Sequence, residues 1–202
     1  MKIKGILLCN VLLAGLYVPV VLAQSEGSAT DHPATIQQRK KNQQDRIANG
    51  IQSGQLTAGE TKNLERKEAN LNKEERQMRA GDNGKLTAAD RAKLNRQQNG
   101  LSKQIYQDKH NAAVAHYGNN RVGQRRENQQ DRIAQGVRSG KLTPGETAKL
   151  ENKEQGLNRE VKGMRQENGG KLSKADRAVV NQQQNKLSKQ IYKDKHNDRH
   201  GN

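Results

Sequence analysis

Residues 38 to 111 of this chain reappear at 124 to 197, at a constant offset of 86 and without a gap. Whatever it folds into must accommodate the same unit twice. QDRIANGIQSGQLTAGETKNLE in the first copy becomes QDRIAQGVRSGKLTPGETAKLE in the second, and GLSKQIYQDKHN becomes KLSKQIYKDKHN. A repeat on this scale constrains architecture before it says anything of chemistry.

A shorter period lies inside the longer one. Gly54-Gln55-Leu56-Thr57-Ala58-Gly59-Glu60 is followed thirty residues later by Gly84-Lys85-Leu86-Thr87-Ala88-Ala89-Asp90, and the second copy repeats both at Gly140–Glu146 and Gly170–Asp176. Ser or Thr with an acid three residues later is a helix-start signature: the hydroxyl accepts from an orphan N–H, and the acid reaches back to the cap and favours the positive helix end. Pro144 at the first helical position agrees, because its missing N–H would have had no intrahelical partner. The pattern predicts four capped helices beginning near Ala58, Ala88, Pro144 and Lys174, each after a glycine turn.

Leu64, Leu71 and Met78 are seven apart, as are Leu150, Leu157 and Met164, so each set forms one narrow stripe. Leu101 with Ile105, and Leu187 with Ile191, add an i,i+4 pair near the end of the following helix. The stripe is thinner than that of an ordinary amphipathic helix. A shorter leading helix carrying Ile47 and Ile51, or Ile133 and Val137, is required to cover it. The expected fold is all-α, two tandem copies of a roughly three-helix unit, compatible with degenerate EF-hand-like helix-loop-helix pairing. The domain plan is a leader at 1–23, a flexible tail at 24–35, repeat 1 at 36–111, a linker at 112–123 and repeat 2 at 124–202.

The leader follows from Lys2 and Lys4, an apolar run from Ile6 to Val21 and the small Ala23, the layout of a secretory signal peptide. Export to the periplasm or beyond is the expectation. An anchor over residues 5–23 is the alternative, which Asn10 and Gly15 weaken. Cys9 precedes most of the apolar run rather than following it, so no lipobox is formed, and after cleavage no cysteine remains for disulfides or thiol chemistry. With 30% hydrophobic residues and neither Phe nor Trp, folding must come from sparse packing. The formal charge of +16 is spread over both copies. A sustained positive field favours anionic partners.

Three constellations invite a functional reading. With Gly84 as turn glycine, Asn83, Thr87 and Asp90 occupy positions 5, 9 and 12 of a calcium loop, but Arg79 and Gly81 stand where positions 1 and 3 need oxygen ligands. A capping box explains the same residues without an ion, so no metal site and no cofactor is assigned. The segment Ile-Tyr-x-Asp-Lys-His-Asn, at 105–111 and 191–197, makes Tyr106 and His110 helical neighbours while Asp108 points elsewhere. The tyrosine is expected to close the end of the core, His110 and Asn111 to finish the helix. His196 and His200 lack a third ligand. No nucleophile–base arrangement, paired buried carboxylates or phosphate loop is visible, so no catalytic residue is assigned. The basic runs Arg39-Lys40-Lys41 and Arg125-Arg126 are the candidate polyanion-binding residues; the scarcity of aromatics gives no basis for specific nucleic-acid recognition.

The duplicated G-K-L-T-x-x-D and I-Y-x-D-K-H-N segments give the chain a general similarity to secreted bacterial helical-repeat proteins of unassigned function, a resemblance that implies no activity. The loops weakly resemble degenerate EF-hands. The expectation is an exported, non-enzymatic binding protein whose basic helical surface engages an anionic polymer, a lipid surface or an acidic protein. A divalent-cation-responsive module and an enzyme using Tyr106 and His110 are the alternatives. Oligomeric state is left open.

Overall fold

A computed structural model describes residues 35–200. The leader, Cys9 and most of the tail lie outside the described residues. Six α-helices follow one another: α1 Ile36–Gln52, α2 Ala58–Gly81, α3 Ala88–Lys109, α4 Arg121–Arg138, α5 Pro144–Glu167 and α6 Lys174–Lys195. The fold is all-α.

The four glycine-turn motifs start α2, α3, α5 and α6 as their capping boxes require. Thr57 Oγ1 accepts from the Glu60 N–H at 3.3 Å, and the Glu60 carboxylate accepts from the Thr57 N–H at 2.9 Å; Thr87, Thr143 and Ser173 repeat the arrangement with Asp90, Glu146 and Asp176. The conserved spacing has further uses. Gly54 and Gly140 sit at φ 69° and 68°, a left-handed conformation that costs a side chain-bearing residue energy. The leucine two residues on then turns inward. Leu56 N–H bonds the Gly50 carbonyl at 2.9 Å, and the Leu56 side chain fills the notch left by that glycine: a Cβ at Gly50 would stand 2.6 Å from Leu56 Cγ. Gly136 and Leu142 repeat it.

The two leading helices are longer than the isoleucine pairs alone required. Thr35, placed in the tail by sequence, caps α1 through a fifth capping box with Gln38. Asn120 caps α4, so the connecting segment ends before Arg121 rather than at Gly123. Gly123 is fixed by crowding, since a Cβ there would lie 1.9 Å from the Tyr117 carbonyl oxygen. The connection is also tied down, with the Ala115 N–H donating to the Gly54 carbonyl at 2.8 Å.

Within each copy the first and second helices both contact the third, yet the broadest packing runs between copies, α2 on α5 and α1 on α4. Equivalent helices therefore face each other, as across a two-fold axis. Side chains confirm the axis. Gln52 and Arg138, 86 positions apart, bond each other through Arg138 Nη2 and Gln52 Oε1 at 2.9 Å. One apolar cluster crosses the junction, joining Ile47, Ile51 and Leu64 to Ile133, Val137 and Leu150. A smaller one, with Leu157, Val161 and Val180, fills the far end of the second copy.

Buried amides clamp the outer helices. Gln43 Nε2 donates to the Gln98 carbonyl at 2.7 Å and to Ser102 Oγ at 2.9 Å, and Gln98 Nε2 donates to the Ile36 carbonyl at 2.9 Å. Gln129, Gln184, Ser188 and Val122 reproduce this in the second copy. The asparagine just beyond each third helix closes the unit: Asn111 Nδ2 donates to Glu60 Oε1 at 2.7 Å, and Asn197 Nδ2 to Glu146 Oε1 at 2.8 Å. One carboxylate thus serves as helix cap and as tether.

Filling either notch tests this packing. Gly50→Ala and Gly136→Ala should each lower the unfolding free energy by about 1–3 kcal/mol, the usual cost of overpacking, in urea titrations followed by circular dichroism. A variant as stable as the parent would show that the leucine moves aside freely.

Candidate functional site

On α2 the inward face reads Thr61, Leu64, Glu65, Glu68, Leu71 and Glu75, all buried. The leucine stripe is completed by carboxyls rather than by more apolar residues. On α5 the same positions bring in Glu151 and Glu154. Because α2 lies on α5, four glutamates meet in the interior, Glu65 and Glu151 being equivalent positions that face one another across the axis.

Their partners are few. Glu65 Oε2 accepts from Gln44 Nε2 at 3.2 Å and Glu151 Oε2 from Gln130 Nε2 at 3.2 Å, while Arg126 Nε stands 3.7 Å from Glu154 Oε2. Both Glu68 oxygens and one oxygen on each of the other three meet no donor among the described residues. Burial disfavours the charged form. It pushes Glu65 well above the ordinary carboxyl range, helped by Glu68 and Glu151 and opposed by the Gln44 hydrogen bond. Burial lifts Glu151 to about 8, the neighbouring Glu154 adding to the effect. Glu68 and Glu154 are raised to about 7 by burial, against the pull of Lys40 and Arg126 respectively.

Two of the polyanion candidates, Lys40 and Arg126, lean on this cluster. Lys40 ion-pairs with the buried Glu75 at 3.1 Å. Its counterpart Arg126 has Val161 where the first copy has Glu75, and turns to Glu154 while its guanidinium lies 5.3 Å from the Tyr117 ring centroid. Arg39 donates to Asn99 at 2.8 Å and Arg125 to Asn181 at 3.3 Å, pinning the first helix of each copy to the third. Lys41 is 73% exposed and pairs with Asp45 at 2.9 Å. The structure brings Lys40 and Arg126 to the glutamates and leaves only Lys41 on an open face.

Asn83, Thr87 and Asp90 share one turn, Asn83 at φ 52°, but Thr87 and Asp90 are engaged with each other: the Thr87 N–H donates to Asp90 Oδ2 at 3.0 Å. No group of three or more His, Cys, Asp or Glu among the described residues is arranged to hold a metal. No helix among them is long and apolar enough to cross a membrane. Tyr106 and Tyr192 require a correction. Expected to close the core, they are 63% and 61% exposed, stacked on His110 and His196 with centroids 4.2 and 4.1 Å apart. Ile105 and Ile191, both 0% exposed, take the interior direction instead.

No protein-family model, curated protein or solved structure matches this chain. Its chemistry has to be read from its own side chains.

Several concavities open on the described residues, two of them where the copies meet. One, about 450 Å³, lies between α1 and the end of α4, lined in part by Lys40, Lys41, Glu68, Asn72 and Arg138. The other, about 900 Å³, lies where α2 and α5 meet the end of α6. The buried carboxyls were missed by sequence reasoning, which found no paired buried carboxylates. The signal was present: Glu65 and Glu68 fall one and four positions after Leu64, and Glu68 three before Leu71, on the buried face of the helix.

The pH dependence of stability follows from these carboxyls. A glutamate whose folded pKa is raised contributes stability fully below its ordinary value of 4.5, and loses it as pH climbs through its folded value of about 7 to 8. Glu75 and Glu146 act oppositely. Partial burial pushes each up, but hydrogen bonds from Arg79 and Lys40, and from Thr143 and Asn197, outweigh it and hold them low. Their contribution disappears in acid. Stability should therefore peak at mildly acidic pH and fall towards pH 8. Glu151→Gln should raise Tm at pH 8 by at least about 2–4 °C, the shift that roughly 1 kcal/mol produces in a domain of this size, with a smaller gain at pH 5. Equal effects at both pH values, read by calorimetry, would contradict a neutral buried Glu151.

Proposed function

We propose that this chain is an exported, non-enzymatic binding protein whose basic helical surface engages an anionic polymer of the cell envelope. The observation that carries this is a partition of charge. The sequence holds 37 Lys and Arg against 21 Asp and Glu. Among the described residues, Glu65, Glu68, Glu75, Glu146, Glu151 and Glu154 are buried, whereas no Lys or Arg is. Solvent therefore meets a surface with a larger cationic share than the composition conveys, and burial favours the neutral form of Glu65, Glu68, Glu151 and Glu154.

The open positive charge is carried by the long helices rather than by the basic runs ahead of them. Arg66, Lys73 and Arg76 on α2, and Arg159, Lys162 and Lys189 on α5 and α6, are exposed. Such a field raises the local concentration of anionic ligands and speeds encounter, without requiring a shaped site. Phe and Trp are absent from the sequence, and the two exposed helix-end tyrosines each already stack on a histidine, which leaves little ring surface for base stacking. The reading favours a polymer recognised through its charges.

Binding of the mature protein to polygalacturonate, measured by biolayer interferometry, should weaken at least about tenfold between 50 and 500 mM salt, because the Debye length shrinks from roughly 14 to 4 Å. Dextran, a neutral polymer, should not bind at any salt. Retention that is the same at both salt concentrations would remove the electrostatic basis of the proposal.

A further inference from the structure

The two copies differ most consequentially at one place. Where α2 begins, the first copy is plugged: Lys62 Nζ donates to Gln155 Oε1 at 2.6 Å, and the Gln155 amide lies over Gly59, so closely that a Cβ there would stand 2.5 Å from its Nε2. An offset of 86 carries Lys62 to Ala148, Gly59 to Gly145, and Gln155 back to Ala69. Both plug residues are alanine in the symmetry-related position. A Cβ at Gly145 would meet nothing within 4 Å, and the cleft of about 900 Å³ opens there.

Charge changes at the same spot. Lys149 and Lys193 line the cleft where the first copy has Asn63 and Gln107, and Arg199 lines it where the first copy has Ala113. The side chains of Arg66, Lys149, Lys153 and Lys193 make no hydrogen bond or ion pair among the described residues, although all four line the opening and are exposed. Asn70, Asn152 and Gln190 stand between them. Three acids line the wall as well: Glu146 is engaged by Thr143, Asn197 and Arg199, Asp194 accepts from Gln190 Nε2 at 2.7 Å, and Asp198 is exposed, so the cations Arg66, Lys149, Lys153, Lys193 and Arg199 outnumber them. A concavity in the size range of ligand sites, rimmed by unpaired cations and lined by amides that pair with hydroxyls, selects an anionic, hydroxyl-rich ligand.

We propose that the open cleft between α2, α5 and the end of α6 binds a short acidic oligosaccharide, one per chain, while the equivalent cleft of the first copy is closed by Lys62 and Gln155. The proposal rests on the polyanion reading above and gives it a single high-affinity position. Carboxylates of the glycan lie against Lys149, Lys153 and Lys193, and its hydroxyls against the amides.

Isothermal titration with a short oligogalacturonate at about 50 mM salt tests it, using a neutral oligosaccharide of equal length and hexametaphosphate as further probes. The parent protein should bind one oligogalacturonate and not the neutral sugar. Ala69→Gln with Ala148→Lys imports the plug of the first copy and should weaken binding at least tenfold with the helical circular dichroism intact. Should that variant fail to fold, Lys149→Asn with Lys193→Gln, both exposed and both importing first-copy residues, should weaken binding several-fold. Equal binding by the folded variants would overturn the proposal. So would preference for hexametaphosphate, which would assign the cleft to a phosphate polymer. A parent protein that binds no oligogalacturonate yet keeps salt-dependent binding of long polygalacturonate would defeat the cleft alone; a parent that binds neither would defeat the surface reading as well.

Discussion

The packing of α2 on α5 is the constraint from which the rest of the structure follows. Each helix has too few leucines to cover its inner face, so carboxyls complete it, and laying like on like gathers them at one axis. A charge in that position is costly unless neutralised or paired. The surrounding features read as answers to this cost. Gln44 and Gln130 each donate to a central glutamate, Lys40 and Arg126 lean inward from the leading helices, and burial shifts the carboxyls towards their neutral form. Of the basic runs within α1 and α4, Lys40 and Arg126 are counter-charges of the core.

That arrangement links the interior to the exterior. Acids drawn inside leave lysines and arginines unmatched outside, so the electrostatic character of the surface is a by-product of how the helices meet. The same partition separates two kinds of arginine and lysine that look alike in sequence. Lys40 and Arg126 are structural, held at 12% and 14% side-chain exposure. Lys149 and Lys193 project into solvent with no partner among the described residues and are the ones available to a ligand.

Helix starts were legible because capping is local: Thr57, Thr87, Thr143 and Ser173 need only the acid three residues on, and Pro144 reinforced one of them. The leading helices were seen only in part, since Thr35 with Gln38 forms a capping box whose acid is replaced by an amide, and Asn120 caps with glycine at the third position. The meeting of the copies was not legible at all. The electrostatic influence of Glu151 on Glu65, and the bond between Gln52 and Arg138, depend on tertiary geometry that no local spacing encodes. Tyr106 was misplaced because its apolar ring was weighed above its position; Ile105, one residue earlier, owns the inward direction. The open cleft was equally hidden, for Ala69 and Ala148 look unremarkable until Gln155 and Lys62 are seen filling the matching space.

Like-on-like pairing of α1 with α4 and α2 with α5 is the geometry of a homodimer, here held within one polypeptide. Covalent fusion frees such an assembly from dilution, since the second half is always present at high effective concentration. It also lifts a restriction that identical subunits cannot escape. In a true dimer every substitution appears twice, so both clefts would be plugged or both open. In the fused form Lys62 and Ala148 coexist, and one half can serve as scaffold while the other diverges.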